Sequence, residues 1–315
     1  MISVVIPSYN RKDCIVRLLG DVFAQKDVEF EVVVIDDCSS DDTADAVRRE
    51  FPQAIFIENE TNGGPCVTRN RGVRAARGDI IVGFDSDVSI PDTYLLAKVA
   101  DGFANSPETS GFAFRIFEPD GKTDDSPRWW HPVSIAKGRD RCFESAYFSG
   151  TAYAFRRTTM IEAGLFPEIL YMHYEEVELA YRILDQGGSI HYRPDFTAVH
   201  HANPVSRRSE IKVFYKPRNQ VLLALRCYPV WRGLCYLTPR LINGMVRALI
   251  QRSFRDWWRA MRSAATLAPE CLKDRAPLKS STWKRIASMR HQLTKPSAVG
   301  KDAGVMTPSG SRLEK

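Results

Sequence analysis

Ile80-Ile81-Val82-Gly83-Phe84-Asp85-Ser86-Asp87-Val88 is the stretch on which the reading of this chain turns. Its first five residues are apolar and rich in β-branched and aromatic side chains, which predicts a strand buried on both faces. The strand stops on two carboxylates, Asp85 and Asp87. Unpaired carboxylates beside a core are costly, so a strand ending this way implies a cation at its carboxyl end. Two Asp one residue apart can share a hard divalent metal, Mn²⁺ or Mg²⁺, and that metal can hold a diphosphate. Alone, Asp-x-Asp is a common pattern; its meaning depends on its surroundings.

Upstream, strand and helix alternate. Strands are expected at Ile2–Ile6, Glu31–Ile35, Ala54–Glu58 and Asp79–Phe84. Helices are expected at Arg11–Ala24, Thr43–Glu50 and from Pro65 through Ala76, where Pro65 suits a first helical turn. This βαβαβαβ pattern implies an α/β fold with a mostly parallel sheet sandwiched by helices, and ligands bind such sheets beyond the carboxyl ends of the strands. Downstream, strands are expected at Ser110–Phe117, Ala146–Phe155, Ser189–Arg193 and Thr197–His200, with helices at Thr158–Ala163 and Glu175–Gln186. The polar stretch Glu118–Arg141 carries Trp129-Trp130-His131 and is either a substrate-facing lid or a locally packed excursion.

The formal net charge of +6 conceals a division. Residues 1–205 hold 21 Lys and Arg against 32 Asp and Glu, a net of −11, whereas residues 206–315 hold 23 against 6, a net of +17. The expected organisation is a catalytic domain over 1–205, split near residue 110 into two halves. A basic, Trp-containing helical extension follows over 206–294, and then a disordered tail over 295–315. Arg207–Arg226 reads as a helix within that extension. Between residues 231 and 262, Trp231, Leu241, Trp257 and Trp258 interleave with Arg232, Arg240, Arg247 and Arg259, a pattern that suits an anionic membrane surface. The competing reading packs these helices on the body or on a second copy. Seven cysteines without metal-ligand spacing argue for reduced thiols. With no signal-peptide pattern and no long uncharged apolar stretch, the expectation is a cytoplasmic protein, peripheral on the inner face of the cytoplasmic membrane.

Four loops should meet at the carboxyl edge of the sheet: Pro7-Ser8-Tyr9-Asn10-Arg11, Asp36-Asp37, Asn62-Gly63-Gly64 and Asp85-Ser86-Asp87. No Gly-x-Gly-x-x-Gly follows the first strand and there is no Gly-x-x-x-x-Gly-Lys-Ser/Thr loop. Phosphate charge would therefore be met by metal and basic side chains. The competing reading of Asp36-Asp37 is capping alone, for the helix expected at Thr43–Glu50. Glu175 and Glu176 open a later helix after the aromatic Tyr171-Met172-His173-Tyr174, a setting that raises a carboxylate's pKa and suits a general base. Glu178 and Arg182 read as a structural i, i+4 pair. His200 and His201 end a strand and point to opposite faces, so one of them can reach the metal with Asp87.

In order and spacing these pieces resemble the inverting family 2 glycosyltransferases of the GT-A fold, the nucleotide-diphospho-sugar transferase fold, especially bacterial rhamnosyltransferase-like members. The resemblance runs from Ile2 to about Pro229. It also takes in Arg69-Asn70-x-Gly72, Ser149-Gly150, Tyr174-Glu175-Glu176-Val177-Glu178 and Tyr215 with Arg218-Asn219. It implies metal-dependent transfer from a UDP- or dTDP-sugar to a saccharide or lipid-linked acceptor in cell-surface polysaccharide or lipopolysaccharide synthesis. Pro7, Tyr9 and Asn10 would wall the nucleotide, with Asp37 or Asp36 accepting from the base. Asn62, Gly63 and Arg69 would line nucleotide and sugar. Asp87 would ligate the metal with His200. Asp85 would bind sugar hydroxyls or reach the metal through water. Glu176, where the family usually has Asp, would be the base, with Glu175 the alternative, and Pro167 replaces the usual Asp before Glu168. A non-catalytic nucleotide-sugar-binding protein or a membrane-surface scaffold would lack a reason for Asp85, Asp87 and Glu176 together. Nucleic acid is not an expected partner.

Overall fold

The computed structural model describes residues 1–201 and 209–294. The expected tail over 295–315 and the start of the helix expected from Arg207 lie outside the described residues.

The chain begins with strand β1 (Ile2–Ser8), helix α1 (Lys12–Phe23), β2 (Phe30–Asp36), α2 (Thr43–Glu50), β3 (Ile55–Glu58), α3 (Gly64–Ala75) and β4 (Ile80–Phe84). Each lies within a few residues of its expected span. A two-residue strand β5 (Val88–Ser89), helix α4 (Leu95–Ala104) and β6 (Gly111–Phe117) follow. A long excursion then carries α5 (Ile135–Gly138) and β7 (Phe143–Glu144). Next come β8 (Ala152–Arg156), α6 (Arg157–Glu162), α7 (Glu175–Asp185) and β9 (Ile190–His200). Four helices close the described chain: α8 (Ser209–Cys227), α9 (Val230–Ile250), α10 (Phe254–Lys273) and α11 (Ser280–Met289).

All strands join one sheet in the order β3-β2-β1-β4-β8-β6-β9-β5, with β7 on β9. From β3 to β4 every pairing is parallel. Beyond β4 the sheet is mixed: β8 runs antiparallel between β4 and β6, while β9 lies parallel to β6. Two expectations are corrected here. Ala146–Phe155 is not one strand, because the chain turns at Gly150-Thr151 and Ser149 bridges back to Ala152. The two strands expected over 189–200 are one, bent by a bulge where Phe114 pairs Arg193 and the next residue, Arg115, pairs Thr197.

Successive residues of a strand face opposite sides, and the sheet is covered on both. Val4, Ile6, Val82 and Phe84 pack with Ile15, Leu18, Leu19, Val22, Val47 and Val99 from α1, α2 and α4. Val5 and Ile81 pack on the other face with Cys66, Val73, Leu179 and Ile183 from α3 and α7. This double burial explains why Ile80–Phe84 shows an unbroken apolar run rather than alternation.

A third cluster joins the C-terminal helices to the body, bringing Leu222, Leu223, Ala264 and Cys271 against Leu170, Tyr174 and Val177. Here α8 grips the loop that precedes α7. Asn219 donates through Nδ2 to the carbonyls of Leu170, Met172 and His173 at 2.9, 2.6 and 2.8 Å, and Arg218 donates to the carbonyls of Ile169 and Leu170. The loop requires such a grip because Tyr171, His173 and Tyr174 all take positive φ, a conformation that costs non-glycine residues energy. Replacing Asn219 with Leu removes the donor from three carbonyls and costs ~1–3 kcal/mol. The urea unfolding midpoint should fall with an unchanged slope, and an unchanged midpoint would show that the grip does not stabilise the fold.

Candidate active site

The loops after β1, β2 and β4 and the start of α3 meet at the carboxyl edge of the parallel half-sheet, and hydrogen bonds lock them together. Asn10, at φ 51°, accepts the Ser40 N–H on its side-chain oxygen at 2.8 Å, and its own N–H donates to Ser39 Oγ at 2.8 Å. Asp36 accepts from the N–H and hydroxyl of Ser39. Asp37 accepts from the N–H groups of Gly63 and Gly64 at 3.0 and 2.8 Å and from Asn59 Nδ2 at 2.7 Å. Both acids therefore have internal partners, and Asp37 caps α3 rather than the expected neighbour α2. Gly64, at φ +81°, has no alternative: a Cβ there would stand 2.2 Å from the Tyr171 ring. That ring stacks on Tyr215 at 5.3 Å, and its hydroxyl donates to Asn62 Oδ1 at 3.3 Å. Tyr9 and Asn62 are exposed at this edge beside Gly63, and Pro7 sits in β1 opposite Ile35.

Asp87 and His200 are brought together by the sheet. β5 pairs antiparallel with β9, setting Val88 opposite His200, and the His201 N–H donates to the Asp87 carbonyl at 2.8 Å. His200 Nε2 stands 3.7 Å from Asp87 Oδ1, too far for a hydrogen bond, and its Nδ1 lies 2.8 Å from Asp125 Oδ2. With Nδ1 on Asp125, Nε2 is the ring nitrogen turned toward Asp87. His201 faces the other way, onto Ser89 Oγ at 2.8 Å. Of the two histidines, His200 is the one that faces Asp87. Burial and then the Asp85 charge push the Asp87 carboxyl upward, while His200 and Arg11 oppose them. Arg11 Nη1 lies 3.6 Å from Asp87 Oδ2, buried and without a hydrogen-bond partner.

No group of three or more His, Cys, Asp or Glu that could hold a metal occurs among the described residues. Asp85 is turned instead to Arg69, at 2.7 Å. Asp87 and His200 still fit a hard cation, as two protein ligands whose remaining positions go to phosphate and water. The orphaned Arg11 Nη1 beside them fits a phosphate oxygen.

Arg69, 5% exposed, is the buried cation of the site. It reaches Asp85 with Nη2 and Glu175 with Nη1, at 2.7 and 3.2 Å. Against the effect of burial, those carboxylates raise its pKa further. Glu175 is buried, and one of its oxygens has no partner. Burial, and then the adjacent Glu176 charge, push its carboxyl up to about 8, with Arg69 pulling the other way. Glu176 is half-buried, and its Oε1 accepts the Gly150 N–H at 3.1 Å. Only glycine fits at 150: a Cβ would lie 2.6 Å from Glu176 Oε1 and 2.9 Å from Arg69 Nη2. Glu178 takes no part; it pairs with Arg182 at 3.6 Å and with Arg226 at 2.7 Å, inside the helix packing.

Asp125 escaped the sequence reading, as did the contact of Tyr171 with Asn62 and Tyr215. Asp125 contacts a residue 75 positions away, and one more acid in a polar loop carries no periodic signal. The Trp129-Trp130 alternatives divide. Trp129 packs against His131, Phe143 and Tyr192, and its indole N–H donates to Val133. Trp130 is 40% exposed and leans on Tyr147 and Tyr174.

The chain matches the model of Glycosyl transferase family 2 over residues 3–164, and it belongs to that family. It is 42% identical to the succinoglycan biosynthesis protein ExoO of Rhizobium meliloti over 29% of this chain and 27% of that protein. Indeed, the chain spans only 27–32% of the length of the first curated relatives it matches. Its fold matches the mannosyltransferase PcManGT from Pyrobaculum calidifontis, solved with GDP-Man and Mn²⁺, with a TM-score of 0.58 at 20% identity over 93% of this chain and 84% of that one. It also matches residues 1–349 of TarS from S. aureus, solved with UDP-GlcNAc, with a TM-score of 0.58 at 19% identity over 92% of this chain and 91% of that one. The architecture is GT-A.

The raised Glu175 has a thermodynamic consequence. Its folded-state pKa of about 8 lies above the ordinary 4.5, so the folded chain keeps a proton that the unfolded chain releases. This group's stabilisation is complete below about pH 4.5 and is lost as pH rises toward about 8. The melting temperature of Glu175→Gln relative to wild type should therefore climb between about pH 5 and 8 and level off above. Parallel melting curves for the two proteins across that window would contradict a protonated Glu175.

Proposed function

We propose that this glycosyltransferase moves a sugar from a nucleoside diphosphate donor to an acceptor hydroxyl with inversion of configuration. One observation carries the reading: the half-buried Glu176, whose Oε1 accepts the Gly150 N–H, adjoins Glu175, which Arg69 ties to Asp85, near the Asp87–His200 pair. Tyr9, Asn10, Asn62 and Gly63 line the nucleotide, with Asp36 and Asp37 fixing the loops that hold it. A divalent cation, Mn²⁺ or Mg²⁺, would be held by Asp87 and His200 and when bound supplies positive charge to the diphosphate. Arg11 adds a guanidinium on the same side, and Asp85 meets sugar hydroxyls from its place on Arg69.

Glu176 takes the proton from the acceptor hydroxyl as that oxygen attacks the anomeric carbon. The bond from that carbon to the diphosphate breaks on the opposite face, and the diphosphate leaves with the electron pair. Burial and the neighbouring acid hold the Glu175 carboxyl up at about 8, and Glu176 is the acid of the two nearer solvent. Positioning and electrostatics supply most of the acceleration. Glu176→Gln should lower turnover by about 10²–10⁴-fold while nucleotide affinity stays within a factor of about two. Calorimetric titration with UDP, dTDP and GDP, each with and without Mn²⁺, should find one nucleotide whose metal-dependent binding disappears in Asp87→Ala. Wild-type turnover in Glu176→Gln would remove Glu176 from the mechanism.

The extension bears on where the enzyme works. Val230, Trp231, Leu234, Ile242, Leu249, Ile250 and Trp258 are exposed along α9 and α10, in the part of the chain with a net charge of +17. No helix among the described residues is long and apolar enough to cross a membrane. Apolar side chains with Trp, set among arginines, favour an anionic lipid surface on the side where a lipid-linked acceptor is presented. The protein should float with vesicles containing anionic lipid, with Trp231→Ser/Ile250→Ser weakening the association. Equal recovery with neutral and anionic vesicles, or none with either, would count against this placement.

A further inference from the structure

A concavity lined by no residue of the nucleotide loops opens beside Tyr174, the residue before Glu175 and Glu176. It has a volume of about 1160 Å³ and lies between the body and the C-terminal helices. Trp130, Tyr147 and Tyr174 form its aromatic wall, with ring centroids 5.8 Å apart for Trp130–Tyr147 and 5.2 Å for Trp130–Tyr174. Tyr174 immediately precedes the two acids, and the Tyr147 phenol is close enough for the Glu176 charge to raise its pKa beyond the effect of burial. The cavity therefore abuts the base without sharing a residue with the nucleotide loops.

Its charge is one-sided. Lys216, Arg240, Arg247 and Arg290 line it, and no Asp or Glu does. Three arginines of the extension have carboxylate partners outside the cavity: Arg226 with Glu178 and Asp274, Arg259 with Asp256, and Arg285 with Glu144. Arg240, Arg247 and Arg290 form no ion pair among the described residues. Arg240 instead lies over the Tyr236 ring at 4.0 Å, with one N–H on the Tyr236 carbonyl. Trp257, also in the lining, leaves its indole N–H buried without a partner. Rings that can stack on a sugar, together with unpaired guanidinium groups, describe a site for a saccharide bearing an anion, and the fork of an arginine matches a phosphate best.

We propose that this cavity is the acceptor site and that it holds the acceptor by a phosphate or diphosphate, with Arg240 and Arg247 as the phosphate-binding residues. The inference rests on the transfer reading for the word acceptor, but the anion site stands on its own geometry. Aromatic stacking against Trp130 sets the sugar toward Glu176, and the arginines, on α9, meet the phosphate at the far end. A lipid carrier and a soluble sugar phosphate present the same phosphate chemistry here.

The test titrates the full chain with inorganic pyrophosphate in the presence of EDTA, which keeps metal from the nucleotide site. Calorimetry reads the binding, and tryptophan fluorescence reports it at the cavity through Trp130 and Trp257. Wild type and Asp87→Ala should bind alike. Arg240→Gln/Arg247→Gln should bind about ten-fold more weakly or worse, and Arg240→Lys/Arg247→Lys should recover part of the loss. Geranyl diphosphate binding more tightly than pyrophosphate points to a phosphate carried on lipid, and equal affinities point to a soluble one. No pyrophosphate binding to wild type, undiminished binding in the glutamine double variant, or loss of binding in Asp87→Ala would each overturn the proposal. A nucleotide titration with Mn²⁺ on the same proteins separates the two readings. If it fails everywhere, the donor assignment falls, while the pyrophosphate result still decides the cavity.

Discussion

A single buried guanidinium ties the site together. Arg69 comes from α3, in the half of the sheet that holds the nucleotide loops, and it reaches both Asp85 at the end of β4 and Glu175 at the start of α7. A charge this deeply buried is tolerated only with partners, and the partners here are the acids whose placement the chemistry needs. Were either carboxylate absent, the remaining charges would repel or stand unpaired in a poorly solvated spot. Arg69 therefore sets the distance between the end of β4 and the start of α7. Gly150, with no side chain, lets Glu176 and Arg69 approach each other over its backbone.

The two sides answer opposite electrostatic demands. Around Asp87 the Asp85 charge and burial raise the carboxyl, and Arg11 makes only a long contact with it. Around Tyr174, arginines cluster and no acid lines the space. The division seen in net charge between residues 1–205 and 206–315 thus recurs at the scale of the two cavities. Between them sit two adjacent acids, Glu175 buried and raised by that burial and Glu176 half-buried beside it.

Where local pattern and fold agree, the sequence was readable almost residue by residue. The helix spacing of Ile15, Leu18, Leu19 and Val22 marks the face that α1 buries, and the apolar run before Asp85 is the doubly covered β4. Asp85, Asp87, Glu175 and Glu176 were legible as acids in places where acids are expensive. What was not legible depends on distant pairing. Helix α4 was passed over, and β5 and β7, at two residues each, are too short to show a period. The bulge in β9 looked like a break because Pro194 interrupts the run. Asp125 owes its position on His200 to the pairing of β6 with β9, since its N–H donates to the Ile116 carbonyl, and the hold of Asp37 on Gly63 and Gly64 likewise joins residues far apart in sequence.

The hold of Asn219 on three carbonyls has a temporal side. Every acid of the transfer site lies before residue 177, yet the backbone that aims two of them is fastened by a side chain more than forty positions later. During synthesis the sheet can close around β1, β4 and β8 while α8 is still unmade, since domains begin to condense as they emerge. A nascent chain at that stage owns its nucleotide loops but lacks the fastening for three left-handed residues. The catalytic geometry is thus completed by the last third of the polypeptide, and the same helices that finish it also form the cavity. The loops at the carboxyl edge of the sheet and the backbone that aims Glu175 and Glu176 are separated in the order of manufacture.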